Sequence, residues 1–161
     1  MFVVLIRILL LSTWATLFFV PKKSIKRFLP VTTMSAFLTM TTVFIGSYFN
    51  FWEIKGGNKA RIYNLLSLLV GAFSVGTLWI FKWTYGKFWL YLLINVAQNI
   101  LYAFPIISFF EKMNFIKYVK FTRIHHLIVS LSYSLILYVY QWFLEKPYTK
   151  GLKFLNLQAL R

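Results

Sequence analysis

The sequence predicts an all-α fold, a polytopic transmembrane helix bundle of about five spans. Three observations predict it. Apolar residues make up 60% of the 161-residue chain and aromatic residues 21%, above the ~45–50% apolar content usual for soluble domains, and the mean hydropathy is +0.69. Charges fall almost wholly in short gaps between five apolar runs, most of them near the ~20 residues that cross a ~30 Å hydrocarbon core. Those gaps are basic: 18 Lys and Arg against three carboxylates give a net charge of +15. The cations are scattered over every gap, as in loops held at anionic headgroups, and do not gather on one face as in a nucleic-acid-binding protein. The chain divides into a bundle, residues 1–145, with spans at about 1–20, 28–49, 65–81, 88–110 and 126–144, and a basic tail, 146–161.

The first span, Met1–Val20, has no basic residue ahead of its apolar run and no A-x-A cleavage site after it, so it reads as a retained span and not as a signal peptide. Arg7 lies in its first two turns. It either snorkels to the near headgroups or faces the bundle as an intramembrane charge. Ser12, Thr13 and Thr16 add a mild polar patch. The link Pro21–Arg27 holds Lys22, Lys23, Lys26 and Arg27, candidate contacts for lipid headgroups. A link this short predicts that the helices it joins are antiparallel neighbours.

In the second span Pro30 suits a first helical turn. Ser35, Thr39, Thr42 and Gly46 share a face, a pattern that fits close helix packing or the wall of a polar pathway. Phe51 and Trp52 read as an interfacial aromatic anchor, and Gly56-Gly57-Asn58 as a turn. That Gly pair lacks the strand and the Gly-Lys-Ser/Thr element of a phosphate loop. The third span carries two small-xxx-small pairs, Ser67/Gly71 and Ala72/Gly76.

The fourth span, uncharged from Phe88 through Phe110, holds the strongest signal. Asn95, Gln98 and Asn99 stand at i, i+3 and i+4, and Tyr102 at i+7 extends the same face. Amides cannot stay unpaired in lipid, so this face meets other helices, water or a ligand. Pro105, one turn on, frees the carbonyl of Leu101 and favours a kink. The candidate intramembrane site is therefore Asn95, Gln98, Asn99, Tyr102 and Pro105.

Lys117, Lys120 and Arg123 alternate with apolar residues, which predicts an amphipathic segment in the interface. His125 and His126 point about 100° apart on a helix and make a poor chelate. No further His or Cys completes a metal site. Ser130, Ser134, Tyr138 and Gln141 form a second polar stripe, complementary to the Asn95–Asn99 face. In the tail, Leu152, Leu155 and Ala159 share a face and suggest a short interfacial helix. With the N-terminus outside, the inner gaps and tail hold ten cations and the outer gaps seven, so the positive-inside rule favours N-terminus out, C-terminus in.

No cysteine is present, which excludes disulfides and thiolate catalysis. Glu53, Glu111 and Glu145 all sit at span borders, and there is no Asp. A Ser-His-Asp triad, paired-carboxylate hydrolysis and a two-His-plus-acid metal site each lack parts.

The runs LFFVPKKSIKRFLPVT, WEIKGG and GTLWIFKWTYGKFWLYL resemble, in layout over about four-fifths of the chain, a family of small five-span membrane proteins of spore-forming Gram-positive bacteria (bacilli, clostridia). The resemblance implies a bacterial cell membrane location and five spans, and carries no catalytic motif or site residue. The functional expectation is an integral membrane protein without catalytic activity or cofactor. It would act through anionic lipid of the bilayer, a membrane protein partner or a second copy of itself, with no nucleic acid. Two alternatives stand beside it: a small carrier or channel subunit with its polar site in the middle of the fourth span, and a membrane enzyme on a lipid headgroup with His125 or His126 as base.

Overall fold

The computed structural model describes residues 2–54 and 57–158. Five helices are long and apolar enough to cross a membrane: α1 (Phe2–Phe19), α2 (Lys22–Tyr48), α3 (Lys59–Thr84), α4 (Phe88–Lys112) and α5, which crosses as Arg123–Lys146 and continues as helix to Gln158. Two short strands, β1 (Trp52–Glu53) and β2 (Lys117–Tyr118), complete the order. The Leu152–Ala159 face lies outside the described side chains, and Gly56 of the Gly-Gly turn outside the described residues.

Helices α2, α3, α4 and α5 form a ring in which each packs on its two neighbours, and α1 lies outside it against α3. The main partner of α1 is thus α3 and not α2, contrary to the expectation from the short link. Local chemistry explains the difference. Ser12, Thr13 and Thr16 each bond a carbonyl three residues back, and the helix tightens to a 3₁₀ form over Thr13–Phe19. Val20 and Pro21 are then extended, which swings the chain away. Three contacts draw α1 onto α3: Arg7 Nε donates to Asn64 Oδ1 at 2.7 Å, Trp14 Nε1 donates to the Val70 carbonyl at 2.9 Å, and Trp79 Nε1 donates to Thr16 Oγ1 at 2.9 Å. Arg7 therefore turns toward the bundle. Asn64, fully buried, passes the tie on by donating Nδ2 to the Phe115 carbonyl at 2.7 Å.

Two other boundaries differ from expectation. The helix that crosses as Lys59–Thr84 begins at Gly57, before the expected span, and Pro30 lies well inside α2 and not in its first turn. Its missing N–H leaves the Lys26 carbonyl without an intrahelical donor.

At one end of the bundle α2 and α4 stop in the same way. Asn50 and Asn114 take left-handed φ of 54° and 53°. Phe51 N–H returns to the Gly46 carbonyl at 2.8 Å and Phe115 N–H to the Phe110 carbonyl at 2.9 Å, the Schellman arrangement that satisfies a helix's last carbonyls. Each cap feeds directly toward a strand, and Trp52 pairs with Tyr118, Glu53 with Lys117, in a two-stranded antiparallel ladder. The segment after α4 is thus extended and paired, in place of the interfacial amphipathic segment expected. Arg123 is drawn back onto Glu111 at 3.4 Å and Ser108 at 2.9 Å. At the other, basal end, Arg27 forms a bidentate pair with Glu145 at 2.6 and 2.8 Å.

Two apolar clusters fill the interior. Ile6, Leu10, Trp52, Leu65, Leu68, Ile107, Phe110, Phe115 and Ile116 pack toward the ladder end. Phe28, Val31, Phe81, Tyr91 and Leu137 pack toward the base. Outward faces carry exposed Phe37, Phe44, Leu93 and Phe143, with Trp83, Trp89 and Trp142 at the base and Tyr48 and Phe49 near the ladder, as lipid-facing surfaces and interfacial belts require.

Gly71 lets α1 approach α3: a Cβ there would collide with the Leu10 carbonyl, whereas one at Gly76 would meet nothing. Gly71→Val should lower stability in detergent by the ~1–3 kcal/mol typical of overpacking, and Gly76→Val should leave the unfolding curve unchanged. Equal tolerance at both positions would show that α1 is not seated on Gly71.

Candidate functional site: a polar cleft inside the bundle

The hydroxyl face of α2, the amide face of α4 and the polar stripe of α5 converge on two adjoining cavities. The first, about 110 Å³ and nearer the ladder, is walled by Thr39, Thr42, Phe73, Tyr102, His126 and Tyr133 and roofed by Trp52 and Tyr118. The second, about 80 Å³ and nearer the base, is lined by Ser35, Thr77, Asn95, Gln98, Asn99 and Ser134. Thr39, Phe73, Ser130 and Tyr133 belong to both walls, so the two adjoin within one polar cleft region. Below it lie Phe81, Tyr91 and Leu137 of the basal cluster.

Local backbone form opens this space. Helix α3 widens to a π-helical turn over Leu68–Phe73, and α4 does the same over Tyr102–Ile106, around Pro105. Pro105 cannot donate to the ladder of hydrogen bonds, and the wider turn absorbs the defect. Residues of both turns line the first cavity, and the rings of Phe73 and Tyr102, one from each turn, lie 5.3 Å apart. Tyr102 also stacks on His126 at 4.9 Å.

Most polar groups of the cleft are paired. Asn95, buried, donates Nδ2 to the Tyr91 carbonyl at 2.8 Å and accepts from Ser134 Oγ at 3.0 Å. Tyr91 OH donates to the Ser134 carbonyl at 2.8 Å. Ser35 bonds Thr77 at 2.9 Å and Thr42 bonds Tyr133 at 2.7 Å. Around His126, Tyr118 OH lies 3.1 Å from Nδ1 and Ser130 Oγ 3.1 Å from Nε2. Burial pushes the Tyr118 phenol far above its ordinary value, so it stays protonated. Ser130 Oγ also bonds the His126 carbonyl at 2.7 Å.

Two buried donors are different. Asn99 Nδ2 and Trp52 Nε1 have no hydrogen-bond partner, although their residues are only 6% and 8% exposed and line the second and first cavities.

Of the residues singled out by spacing, Asn95 and Asn99 point inward, Gln98 is exposed where the second cavity meets the outside, Tyr102 lines the first cavity and Pro105 is exposed. Trp52 is a buried roof packed over Gly46, not an interfacial anchor; nothing local in the sequence marks that placement, which depends on the Asn50 cap. His126 turns inward, whereas His125 is exposed and bonds Thr122 at 2.9 Å. Lys22, Lys23 and Lys26 are exposed at the base. Arg27, grouped with them by sequence, is committed instead to Glu145. No group of three or more potential metal ligands occurs among the described residues.

The two amides one turn apart should respond oppositely to substitution. Asn95→Leu strips Ser134 and the Tyr91 carbonyl of a partner and should cost about 1–2 kcal/mol. Asn99→Leu removes an unsatisfied donor and should be neutral or stabilising in the empty protein. Unfolding in a denaturing detergent titration reads both, and equal losses would mean that Asn99 Nδ2 is bonded. Comparison of the chain with protein-family models, with curated proteins and with solved structures finds no match.

Proposed function

We propose that this chain is a non-enzymatic integral membrane protein of a bacterial cell membrane that acts by holding a lipid molecule in the cleft between α2, α3, α4 and α5. One observation carries the reading: within a bundle whose polar groups are otherwise largely paired, two buried N–H donors on the walls of one cleft lack acceptors. An unmade bond at such a site costs about 1–3 kcal/mol, and a bound molecule would recover it. The cleft is apolar over most of its wall and polar at a few fixed points, the composition of a ligand site.

The basal end supports a second contact with lipid. Lys22, Lys23 and Lys26 project from the start of α2 beside exposed Trp89 and Trp142, suited to anionic headgroups. That end carries the inner loops and the C-terminus under the N-out orientation favoured by the cation count. A carrier is the second reading, favoured by the Phe28, Val31, Phe81, Tyr91 and Leu137 plug beneath the cleft, which would have to part for passage. It expects flux into vesicles that Asn95→Leu abolishes with expression intact.

Protein extracted in mild detergent should retain lipid in near-stoichiometric amount by mass spectrometry, and Trp52→Phe with Asn99→Leu should release most of it. Changing Lys22, Lys23 and Lys26 to Gln should instead weaken retention of anionic lipid by roughly 1 kcal/mol per cation. Lipid content equal in wild type and the Trp52/Asn99 double variant would overturn the cleft reading.

A further inference from the structure

Resting on that cleft reading, we infer that the occupant is an uncharged lipid whose polar end presents carbonyl oxygens, and not a lipid held by its phosphate. The unmet groups fix the sign of the partner. The Trp52 indole N–H can only donate, and the fully buried idle atom of Asn99 is its amide N–H. Both need an acceptor. The remaining buried orphan among the described residues, Gln141 Oε1, is an acceptor, but it belongs to the basal end, where Gln141 bonds Glu145.

Charge fixes the class. Among the residues lining the two cavities there is no Lys, Arg, Asp or Glu. A phosphate drawn into this space would lose its hydration without gaining a cation, which is strongly unfavourable. A cation would find no carboxylate. A neutral carbonyl loses little and gains a hydrogen bond at each donor. Size agrees: the 110 Å³ and 80 Å³ chambers each exceed the ~30 Å³ share of one water, and they adjoin, with one donor residue lining each. Tyr102 stacked on His126, with Phe73 tilted against Tyr102, gives an aromatic wall beside the first. Two bilayer components share this chemistry, a quinone with a conjugated ring and a diacylglycerol with ester carbonyls.

The test uses the purified full-length chain and thermal unfolding against three short-chain probes: a menaquinone analogue, dioctanoylglycerol and dioctanoyl phosphatidylglycerol. At least one uncharged probe should raise the unfolding temperature saturably. Trp52→Phe and Asn99→Leu should each weaken its apparent affinity about tenfold, the loss of one buried hydrogen bond. Gly76→Val, outside the cleft, should leave it unchanged. A larger effect of the menaquinone analogue than of dioctanoylglycerol assigns the quinone as source, and the reverse assigns the glycerolipid. If only phosphatidylglycerol binds, and does so through Trp52 and Asn99, the inferred class is wrong while the cleft reading stands. If no probe depends on those residues and retained lipid does not either, the cleft holds water and both fall. Because Asn99→Leu removes an unpaired donor and Trp52→Phe keeps an aromatic roof, neither variant should compromise folding, and each one's unfolding curve without probe checks this.

Discussion

An amide inside hydrocarbon has only the protein itself to bond, and that constraint arranges this bundle. Asn95 is placed by it: one end of its amide closes back on the Tyr91 carbonyl and the other takes the Ser134 hydroxyl, while Tyr91 reaches across to the Ser134 carbonyl. Three residues on two helices thereby fix the rotation of α4 and the height of α5 together. Side-chain bonds of this kind are individually worth only about 0.6–2 kcal/mol in a membrane. Their effect is to make other rotations costly, because turning α4 outward would leave Asn95 facing acyl chains.

The same rule operates at the periphery through Asn64. Its carbonyl takes Arg7 and its N–H takes the Phe115 backbone, so one buried side chain binds the outlying α1, the third helix and the turn that follows α4. A guanidinium in the first span has a partner on the protein side, and its stem covers apolar surface on the way. Arg7 also lies 5.5 Å from the Tyr63 ring centroid. This explains why α1, so little buried by its own apolar residues, has a defined seat.

Much of the architecture is legible in the chain because its causes are local. Five apolar runs separated by basic gaps become five helices, and the i, i+3, i+4 spacing puts Asn95 and Asn99 on one buried face. The same spacing leaves Gln98 at the mouth, since a 100° step carries it partly around the helix. What the chain conceals depends on pairs distant in sequence. Trp52 reads as an anchor because aromatic residues at span ends usually are, yet the left-handed Asn50 and the ladder with Tyr118 fold it over Gly46. His126 reads as one of two adjacent histidines too divergent to chelate, and only the return of β2 brings Tyr118 against it. Arg27 reads as a headgroup contact because Glu145, its partner, lies at the far end of the chain. The π-helical turns are partly legible: Pro105 signals the one in α4, and nothing comparable marks Leu68–Phe73.

Those turns also bear on why polar groups remain idle where they do. A helix that widens by one residue loses close packing on the side where it bulges, and here residues of two such turns line one chamber. The space between them is therefore built into the backbone and is not a fault that side chains could repack. Just beside it, Asn95 and Asn99 occupy successive turns of the same face. Asn95 has Ser134 opposite and is satisfied; Asn99 stands a turn closer to the bulge, beyond the reach of that partner, and its N–H is idle. The contrast follows from position along one helix rather than from residue type. A purely structural role would be served by an apolar residue at 99 at no loss of hydrogen bonds. Keeping an amide beside a permanent opening makes physical sense when something with an acceptor visits that opening.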